Sequence, residues 1–511
     1  MAARSLSNRA VLYMAAQISA NVVGSVTGMV LARVFTKQEY GDYLQLMYIY
    51  TLFSGILILG LPSSLTYFYS VAEEQKKAAT VYIVMILLFG LGLVVGAATF
   101  LSAPYAGKFF NHNERLGPLI RDFFLFYAFT LGGAYIRRLL VAANRYRFLM
   151  FWLPFDRVMM LVSFAVPAML GYGLERAVEV AVWVAALKFA ITTVYTIKIL
   201  PRGGPIWENA LAAKILAYSL PLGMSAALAQ LSRAIDRGVI GRYEKAEFFA
   251  VYSLGALALP FVGEIAESVM TVLIPELARL YKEGDRAQFV KIWQESIRKT
   301  SIFVLGTLGF VMFFAAPVMV ALYGAQYADS ALYFRLYQVA LLLRVTLYGH
   351  ILQAIGQTRQ IMYTTVFLLV TKIGTNLTLY KMMGPTGPPV GSLVLAFIVS
   401  AYLLYFIARQ LGSSMGRIWP WGYYFKILAA GVLAGGFSAV ALLVSDNTLS
   451  AYVGRVSKAL VRADVFAAMK VVLGLALFLP AYAALLHVFR ALKDKDWRLL
   501  KSMTYGRFVR K

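Results

Sequence analysis

The sequence has no cysteine and only three histidines, and both shortages exclude kinds of chemistry. Without cysteine there are no disulfides, no thiolate catalysis and no Cys-ligated metal. His112, His350 and His487 are too scattered to suggest a metal cluster. No G-x-x-x-x-G-K-[ST] segment is present to bind ATP, and no Ser/His/Asp arrangement stands out. We therefore expect neither enzyme activity nor a bound cofactor.

Charge is also scarce, and apolar residues dominate. Charged residues make up 14% of the 511 positions, hydrophobic residues make up 60%, and the mean hydropathy is +0.70. These values are typical of a polytopic membrane protein. The first apolar stretch, 10–35, is too long for a cleaved signal peptide, so we expect a retained first helix. The net charge of +25 is interpreted as topogenic, and no nucleic-acid partner is expected.

Apolar runs of about 20 residues, the length that crosses a bilayer, predict fourteen spans. Their bounds are 10–34, 42–64, 78–102, 119–141, 148–170, 177–199, 214–240, 246–274, 300–322, 332–355, 361–381, 390–410, 424–445 and 466–489. Of the 49 Lys and Arg residues, 29 lie in alternate loops counted from the N-terminus or at the span ends that adjoin them, 14 lie in the opposite loops or at their adjoining span ends, and 6 lie in span interiors. The positive-inside rule then places both termini in the cytoplasm.

Two sequence matches indicate an internal repeat. Ala16–Ser19 in span one recurs as Ala229–Ser232 in span seven, and Pro62 recurs as Pro275 with the same offset of 213. Six spans separate the copies, so both have the same orientation. The predicted fold is all-α and polytopic, with two six-helix lobes related by a parallel repeat and two added helices. The expected divisions are an N-lobe (1–205), a C-lobe (206–412), spans thirteen and fourteen (413–490) and a basic cytoplasmic tail (491–511).

Six cations lie in the interiors of the predicted spans, away from the span ends, namely Arg157, Lys188, Arg233, Arg237, Arg344 and Lys372. A charge facing lipid at mid-bilayer costs about 2.5–3.5 kcal/mol, so these side chains must face protein or water. They either form ion pairs that hold helices together or line a water-filled cavity that attracts an anionic substrate. Arginine suits the geometry of a pyrophosphate. Arg233 and Asp236 are three apart and could pair on one helix face.

Four acids lie in the interiors of the predicted spans, and they are candidates for ion coupling. Asp156 adjoins Arg157, so the two cannot share a helix face and each needs a partner on another helix. Glu264 and Glu267 are three apart and face the same way, an arrangement in which two carboxylates hold one proton between them. They could bind a proton or sodium, or they could neutralise the arginines. Asp236 is the fourth acid.

Small and polar residues predict where helices pack and bend. Gln17, Asn21 and Ser25 form a polar stripe on span one that we expect to line a cavity. Pro221 and Pro260 predict breaks in spans seven and eight. Three small-residue pairs predict close helix contacts, namely Gly24 with Gly28, Gly92 with Gly96, and Gly431 with Gly435.

Two motifs resemble those of a known transporter family. The first has the pattern A-R-x-F-x-x-x-E-Y-G-x-Y followed by L-G-L-x-x-S, at Ala32, Arg33, Phe35, Glu39, Tyr40, Gly41, Tyr43, Leu59, Gly60, Leu61 and Ser64. The second opens with S-L-P at Ser219–Pro221 and ends with D-R-x-x-I-G at Asp236, Arg237, Ile240 and Gly241. Both resemble Wzx-type polysaccharide flippases of the multidrug/oligosaccharidyl-lipid/polysaccharide exporter superfamily, which also contains the lipid II flippases.

The resemblance implies a flippase in the bacterial inner membrane that moves undecaprenyl-pyrophosphate-linked oligosaccharide outward by alternating access. It implies proton or sodium antiport, a monomer, and a polysaccharide polymerase and chain-length regulator as partners. The cationic lumen would contain Lys188, Arg233, Arg237, Arg344 and Lys372. Spans thirteen and fourteen would hold the lipid tail.

Some related flippases bind sodium through carboxylates and an asparagine on helices seven and eleven. This chain offers Asp236 and Asn376, but Tyr380 stands where a second acid is expected, which puts sodium coupling in doubt. Two alternatives stay open. A cation- or drug-exporting antiporter would need an acidic lumen, whereas the excess here is basic. A membrane glycan polymerase or ligase would need a large periplasmic loop with catalytic residues, and the predicted loops are short.

Overall fold

The computed structural model describes residues 2–201, 205–259, 262–443 and 463–491. These residues form α-helices joined by turns and short 3-10 segments, without a strand, so the all-α prediction is confirmed for the described part. The first eleven helices are α1 (Ala2–Val34), α2 (Lys37–Leu57), α3 (Leu61–Val71), α4 (Glu74–Phe109), α5 (Leu116–Asp122), α6 (Phe124–Gly133), α7 (Ile136–Ala142), α8 (Tyr146–Met169), α9 (Gly173–Ile199), α10 (Asn209–Tyr243) and α11 (Ala246–Gly255). The others are α12 (Val262–Glu283), α13 (Arg286–Tyr323), α14 (Ser330–Val339), α15 (Tyr348–Ala354), α16 (Thr358–Met383), α17 (Gly387–Gln410), α18 (Met415–Ile418), α19 (Trp421–Ser438) and α20 (Ala463–Val488).

The chain divides into two compact units. The first contains Met1–Ser253 and Thr365–Pro388, and the second contains Leu254–Thr364 and Pro389–Lys511. The first unit therefore includes α10 and most of α16, which the sequence assigns to the C-lobe. The lobe boundaries and the parallel repeat stay a prediction.

Ten helices of the described residues are long and apolar enough to cross a membrane, or eleven if α2 and α3 form one bent span. The continuous stretch Thr358–Gln410 covers two predicted spans. Predicted spans 246–274 and 332–355 are not among these helices. Span 332–355 is divided into shorter segments. Helix α12, which covers the second half of 246–274, is long enough but carries Glu264, Glu267, Glu276 and Arg279. The count of fourteen is consistent with this and stays a prediction.

The first motif forms the start of α2. Thr36 caps the helix, since its side chain accepts from the backbone N–H of Glu39 and the Glu39 carboxylate accepts from the backbone N–H of Thr36. Gly41 packs so closely on Ala246 that a Cβ there would lie 2.0 Å from the Ala246 carbonyl oxygen. These residues fix the entry to α2 and its contact with α11.

The second part of that motif forms a bend. Leu59 and Gly60 have positive φ angles of 50° and 70°, and the chain turns by 41° between α2 and α3. A Cβ on Gly60 would lie 2.9 Å from the Ser219 carbonyl oxygen, and one on Gly223 would lie 2.3 Å from the Leu59 carbonyl carbon. Glycine is needed at Gly60 for its left-handed backbone and at both positions for the close approach. The bend is therefore packed against α10.

Two of the three small-residue pairs form close helix contacts. Gly92 and Gly96 bring α4 onto α6, and Gly431 and Gly435 bring α19 onto α13. The prediction is wrong for Gly24, because a Cβ at that position would meet no atom within 4 Å among the described residues. A small residue allows a close approach but does not show that a neighbouring helix uses it.

We expect Gly96→Ala to destabilise the protein by about 1–3 kcal/mol, because overpacking forces backbones apart. The new Cβ would lie 2.3 Å from the Phe124 carbonyl oxygen. Gly24→Ala is the matched control and should be neutral or slightly stabilising, since alanine is the better helix former. Thermal unfolding of the purified variants measures the difference. Equal melting temperatures would contradict the close α4–α6 contact.

Proline at position 221 does not break its helix. Pro221 lies inside α10, which continues from Asn209 to Tyr243, so the predicted break there is wrong. Proline removes one backbone hydrogen bond, and the other helical bonds keep the segment continuous. Pro260 lies outside the described residues.

Candidate functional site

A polar seam joins α10 to α16 within the first unit. The Lys372 ammonium lies 2.8 Å from Oδ1 of Asp236, and Asn376 Nδ2 donates to the same oxygen at 2.8 Å. Lys372 also donates to the Ser232 carbonyl oxygen at 3.0 Å. Asp236 and Asn376 are buried, with 4% and 0% of their surfaces exposed. Asp236 thus pairs with Lys372 on another helix, and not with Arg233 on the same helix.

The seam continues one to two turns further along both helices. The Tyr380 hydroxyl donates to Glu244 Oε1 at 2.6 Å, and the rings of Tyr380 and Tyr243 stack with centroids 4.7 Å apart. The pairs advance in the same direction on both helices, so α10 and α16 run parallel. Tyr380 stands where the resemblance predicts a second acid, and its hydroxyl binds the carboxylate of Glu244 instead.

A second ion pair joins α8 to α9. The Lys188 ammonium lies 2.8 Å from Asp156 Oδ1. The Lys188 side chain is 12% exposed, whereas that of Asp156 is 40% exposed. This confirms that Asp156 takes its partner from another helix. Both lysines for which the sequence shows no nearby acid are thus bound to a carboxylate.

Three arginines of the same unit keep their charge uncompensated. Arg157 on α8 and Arg233 and Arg237 on α10 form no ion pair with any carboxylate of the described residues. Arg157 and Arg233 are exposed, and Arg237 is half-buried. Arg233 donates to Gln230 Oε1 at 2.8 Å. This contact orients the guanidinium but does not neutralise its charge, because the amide is uncharged.

Helix α2 contacts both helices that carry these arginines. The Tyr43 ring meets Phe164 of α8 edge-on at 4.9 Å, and the Tyr48 hydroxyl donates to the Ala234 carbonyl oxygen of α10 at 3.1 Å. Gln230 adds a contact from α10 to the Thr51 carbonyl oxygen. Helix α2, which begins within the first motif, is thus packed beside α8 and the cationic part of α10.

Arg344 belongs to the second unit and does not lie within a helix. Helix α14 ends at Val339, and Arg344 follows in a turn where its backbone N–H donates to Leu341. The prediction that it lies in the middle of a spanning helix is wrong. Tyr424 donates to the Leu342 carbonyl oxygen at 2.8 Å, and Trp293 donates to Thr346 Oγ1 at 3.0 Å. These contacts supply partners for a non-helical segment, which is tolerated at membrane depth only when protein covers it.

Glu267 also belongs to the second unit, where it meets a histidine. His350 Nε2 of α15 lies 3.1 Å from Glu267 Oε1 of α12, and their side chains are 19% and 58% exposed. The predicted pairing of Glu264 with Glu267 is not tested, because the Glu264 side chain lies outside the described residues. His350 has no sequence pattern around it that would have predicted this contact.

Polar side chains of the stripe on α1 form hydrogen bonds within the helix itself. Gln17 Nε2 donates to Asn21 Oδ1 at 3.1 Å, and Ser25 Oγ donates to the Asn21 carbonyl oxygen at 3.1 Å. All three residues are half-buried, and their lining of a cavity stays a prediction. In the described part of the chain, no group of three His, Asp or Glu residues is placed to hold a metal ion.

The described architecture is that of a known transporter class. A solved structure of the lipid II flippase MurJ in an inward-closed conformation matches 93% of this chain and 99% of its own, with a TM-score of 0.65 and 13% identity. An inward-facing multidrug-resistance MATE transporter of the MOP superfamily matches 78% of this chain and 94% of its own, with a TM-score of 0.56 and 15% identity. Identities this low show the fold alone. The protein is a multi-pass helical membrane protein with a MOP-type transporter fold.

The family comparison adds a more specific result. A family described as polysaccharide biosynthesis proteins matches residues 30–332, more than half of the sequence, so the chain belongs to that family. The capsular polysaccharide biosynthesis protein CapF of Staphylococcus aureus is 24% identical over 117 residues, which are 23% of this chain. That match spans 30% of CapF. The predicted Wzx-type resemblance is confirmed, and the solved neighbours are transporters or flippases, not enzymes.

Proposed function

We propose that this protein moves undecaprenyl-pyrophosphate-linked oligosaccharide from the cytoplasmic to the outer leaflet of the bacterial inner membrane by alternating access. One observation carries the proposal. In the first unit, both acids in the interiors of the predicted spans, Asp156 and Asp236, are bound to lysines, while three arginines in span interiors form no ion pair with any carboxylate of the described residues. A net cationic interior in a membrane protein favours an anionic substrate.

The chemistry of arginine narrows the substrate class. A guanidinium presents five donors in a planar fork and binds phosphate oxygens in pairs. Two such side chains, Arg233 and Arg237, lie one turn apart on α10, and Arg157 lies on α8. Their spacing along α10, about 6 Å for four residues, suits the two phosphates of a pyrophosphate. We expect Lys188, Lys372 and Arg344 to contribute less.

The remaining features extend the proposal to topology and partners. The distribution of Lys and Arg supports cytoplasmic termini. The family supports a role beside the enzymes of polysaccharide synthesis, with a polymerase and a chain-length regulator as partners of a monomeric flippase. The alternative, a cation or drug exporter, would need free acids in its transport path. Neither Asp156 nor Asp236 meets this need, because each is bound to a lysine.

Translocation in proteoliposomes tests this function. Vesicles would contain the purified protein and a fluorescent undecaprenyl-pyrophosphate-linked oligosaccharide, and a membrane-impermeant reagent would report the sugar exposed outside. We expect the accessible share to rise from the outer-leaflet fraction to nearly the whole pool. Labelled phosphatidylglycerol is the control and should not move faster than in protein-free vesicles. If both lipids stay in place, the protein is not a flippase for this substrate.

For coupling, we infer that protons are more suitable than sodium. The Lys372 ammonium and the Asn376 amide both contact Asp236 Oδ1, so a lysine already fills the position of a cation there. The contact of Glu267 with His350 instead joins a carboxylate to an imidazole, two groups that can each accept a proton.

We expect an imposed proton gradient to accelerate transport and the replacement of sodium by potassium to leave it unchanged. His350→Gln should weaken the response to the proton gradient, because glutamine keeps a polar contact with Glu267 and cannot carry a proton. His112→Gln is the matched control and should keep the wild-type response. An unchanged response in His350→Gln would exclude this pair from coupling.

A further inference from the structure

Two adjoining clefts of the first unit open where α8 begins and α9 ends. The first has a volume of about 370 Å³, and Arg145, Tyr146 and Arg147 contribute to its lining. The second has a volume of about 380 Å³ and is lined along α9 from Ala190 to Lys198. Tyr195 lines both clefts, so they adjoin at this side chain. We name this surface the α8/α9 cleft.

The end of the α8/α9 cleft near Tyr146 is cationic. Arg145 and Arg147 flank the first residue of α8, and Lys198 lies in the last turn of α9. All three side chains are exposed, and none forms an ion pair within the described part of the chain. No Asp or Glu occurs in residues 123–155 or 180–207. The charge at this end is therefore not neutralised from the neighbouring sequence.

The other end of the cleft is apolar and belongs to a spanning helix. Ala190, Ile191 and Val194 line it and are exposed, and α9 is one of the helices that could cross the membrane. At 1.5 Å per residue, Ala190 lies about 12 Å deeper along the helix than Lys198. The exposed stripe continues beyond the cleft with Leu187 and Trp183. Because α9 is long and apolar enough to cross the membrane, we expect this exposed apolar surface to face the hydrocarbon of the bilayer.

Stacked aromatic rings lie between the two ends. Phe148 stacks on Tyr195 with ring centroids 3.8 Å apart and planes 8° from parallel, and Phe148 also stacks on Trp152. The lining comes from α8, α9, Leu12 of α1 and the two residues before α8. The cleft is thus built mainly on helices that pack on one another.

A cationic pocket at a helix end, continued by an apolar groove toward mid-membrane, matches an anionic lipid in both chemistry and direction. We propose that the α8/α9 cleft binds one anionic glycerophospholipid, with the phosphate at Arg145, Arg147 and Lys198 and an acyl chain along Ala190, Ile191 and Val194. Clusters of basic side chains at membrane surfaces attract anionic lipids in this way. The head-group end of the cleft lies away from Arg157 of the proposed transport site, since Tyr146 is about 17 Å from Arg157 along α8.

Native mass spectrometry of the purified protein in neutral micelles tests the proposal with added phosphatidylglycerol or phosphatidylcholine. We expect the wild type to retain phosphatidylglycerol at least about fivefold more than phosphatidylcholine. Arg145→Gln/Arg147→Gln/Lys198→Gln should remove this preference, and the single variant Arg147→Gln should reduce it. The control variant Lys108→Gln/Arg121→Gln/Lys381→Gln removes three cations that line neither cleft and should keep it.

A substitution that fills the apolar groove tests the contact with the acyl chain separately from the contact with the phosphate. Ala190→Trp should lower retention of phosphatidylglycerol severalfold and leave the binding of inorganic phosphate unchanged. Three outcomes would overturn the proposal. They are a wild type without preference between the two phospholipids, a triple variant that keeps the preference, and displacement of phosphatidylglycerol by equimolar undecaprenyl pyrophosphate. The last would make the cleft an entry site for substrate.

Discussion

Lys372→Met is expected to destabilise the protein by about 3–5 kcal/mol, because it leaves a buried carboxylate without its cation. Asp236 is 4% exposed and receives the ammonium at 2.8 Å. Methionine has a similar length and cannot donate, so the effect comes from the lost charge. Thermal unfolding of the detergent-purified protein should show a drop on the order of 5 °C.

Two further variants separate the ion pair from general packing. Asp236→Asn/Lys372→Met removes both charges and should recover most of the lost stability, as replacing a whole buried pair often does. Lys188→Met is the matched control, since its partner Asp156 is 40% exposed and water can solvate the remaining carboxylate. Two results would contradict a stabilising role for the buried pair between α10 and α16. One is an equal loss of stability in Lys188→Met and Lys372→Met. The other is a double variant that is no more stable than Lys372→Met alone.

The second large effect concerns substrate affinity. Arg233→Gln/Arg237→Gln is expected to lower the affinity for undecaprenyl pyrophosphate by about tenfold for each arginine, because charge-assisted hydrogen bonds to phosphate oxygens are lost. Arg157→Gln should lower it further. Binding to protein in nanodiscs, at a fixed salt concentration, measures the change.

The control for this experiment is a cation that already has a partner. Lys188→Gln removes one positive charge from the same unit, but this charge is bound to Asp156. Its affinity should stay within about twofold of the wild type. Equal losses in Lys188→Gln and in the arginine variants would mean that total charge matters and that the three arginines have no special role.

The backbone conformation of the first motif follows from its own residues, because a helix cap and a bend have local requirements. Thr36 and Glu39 form a capping box, and Gly60 provides the left-handed residue of a bend. The structure adds that the motifs meet, since the Leu59–Gly60 bend packs on Ser219 and Gly223. Small residues at fixed positions show where backbones approach closely, and this contact connects α10 to the bend between α2 and α3.

The partners of the charged residues could not be predicted, because they depend on which helices are neighbours. Asp236 lies one turn from Arg233 in sequence and yet pairs with Lys372, 136 residues further on. His350 likewise meets Glu267 across the second unit. The turn at Arg344 contains no proline or glycine, and it is held by Tyr424 and Trp293 from other helices. A hydropathy profile does not distinguish such an apolar turn from an apolar spanning helix.

The charge of the substrate is the central claim, and one binding measurement on the wild-type protein tests it most directly. Protein in nanodiscs would be titrated with undecaprenyl pyrophosphate and with a hydrophobic organic cation, each at low and high salt. A cationic transport path predicts binding of the anionic lipid that weakens as salt screens the arginines, and no specific binding of the cation. Preferential binding of the cation would contradict the flippase proposal and support a cation exporter with the same fold.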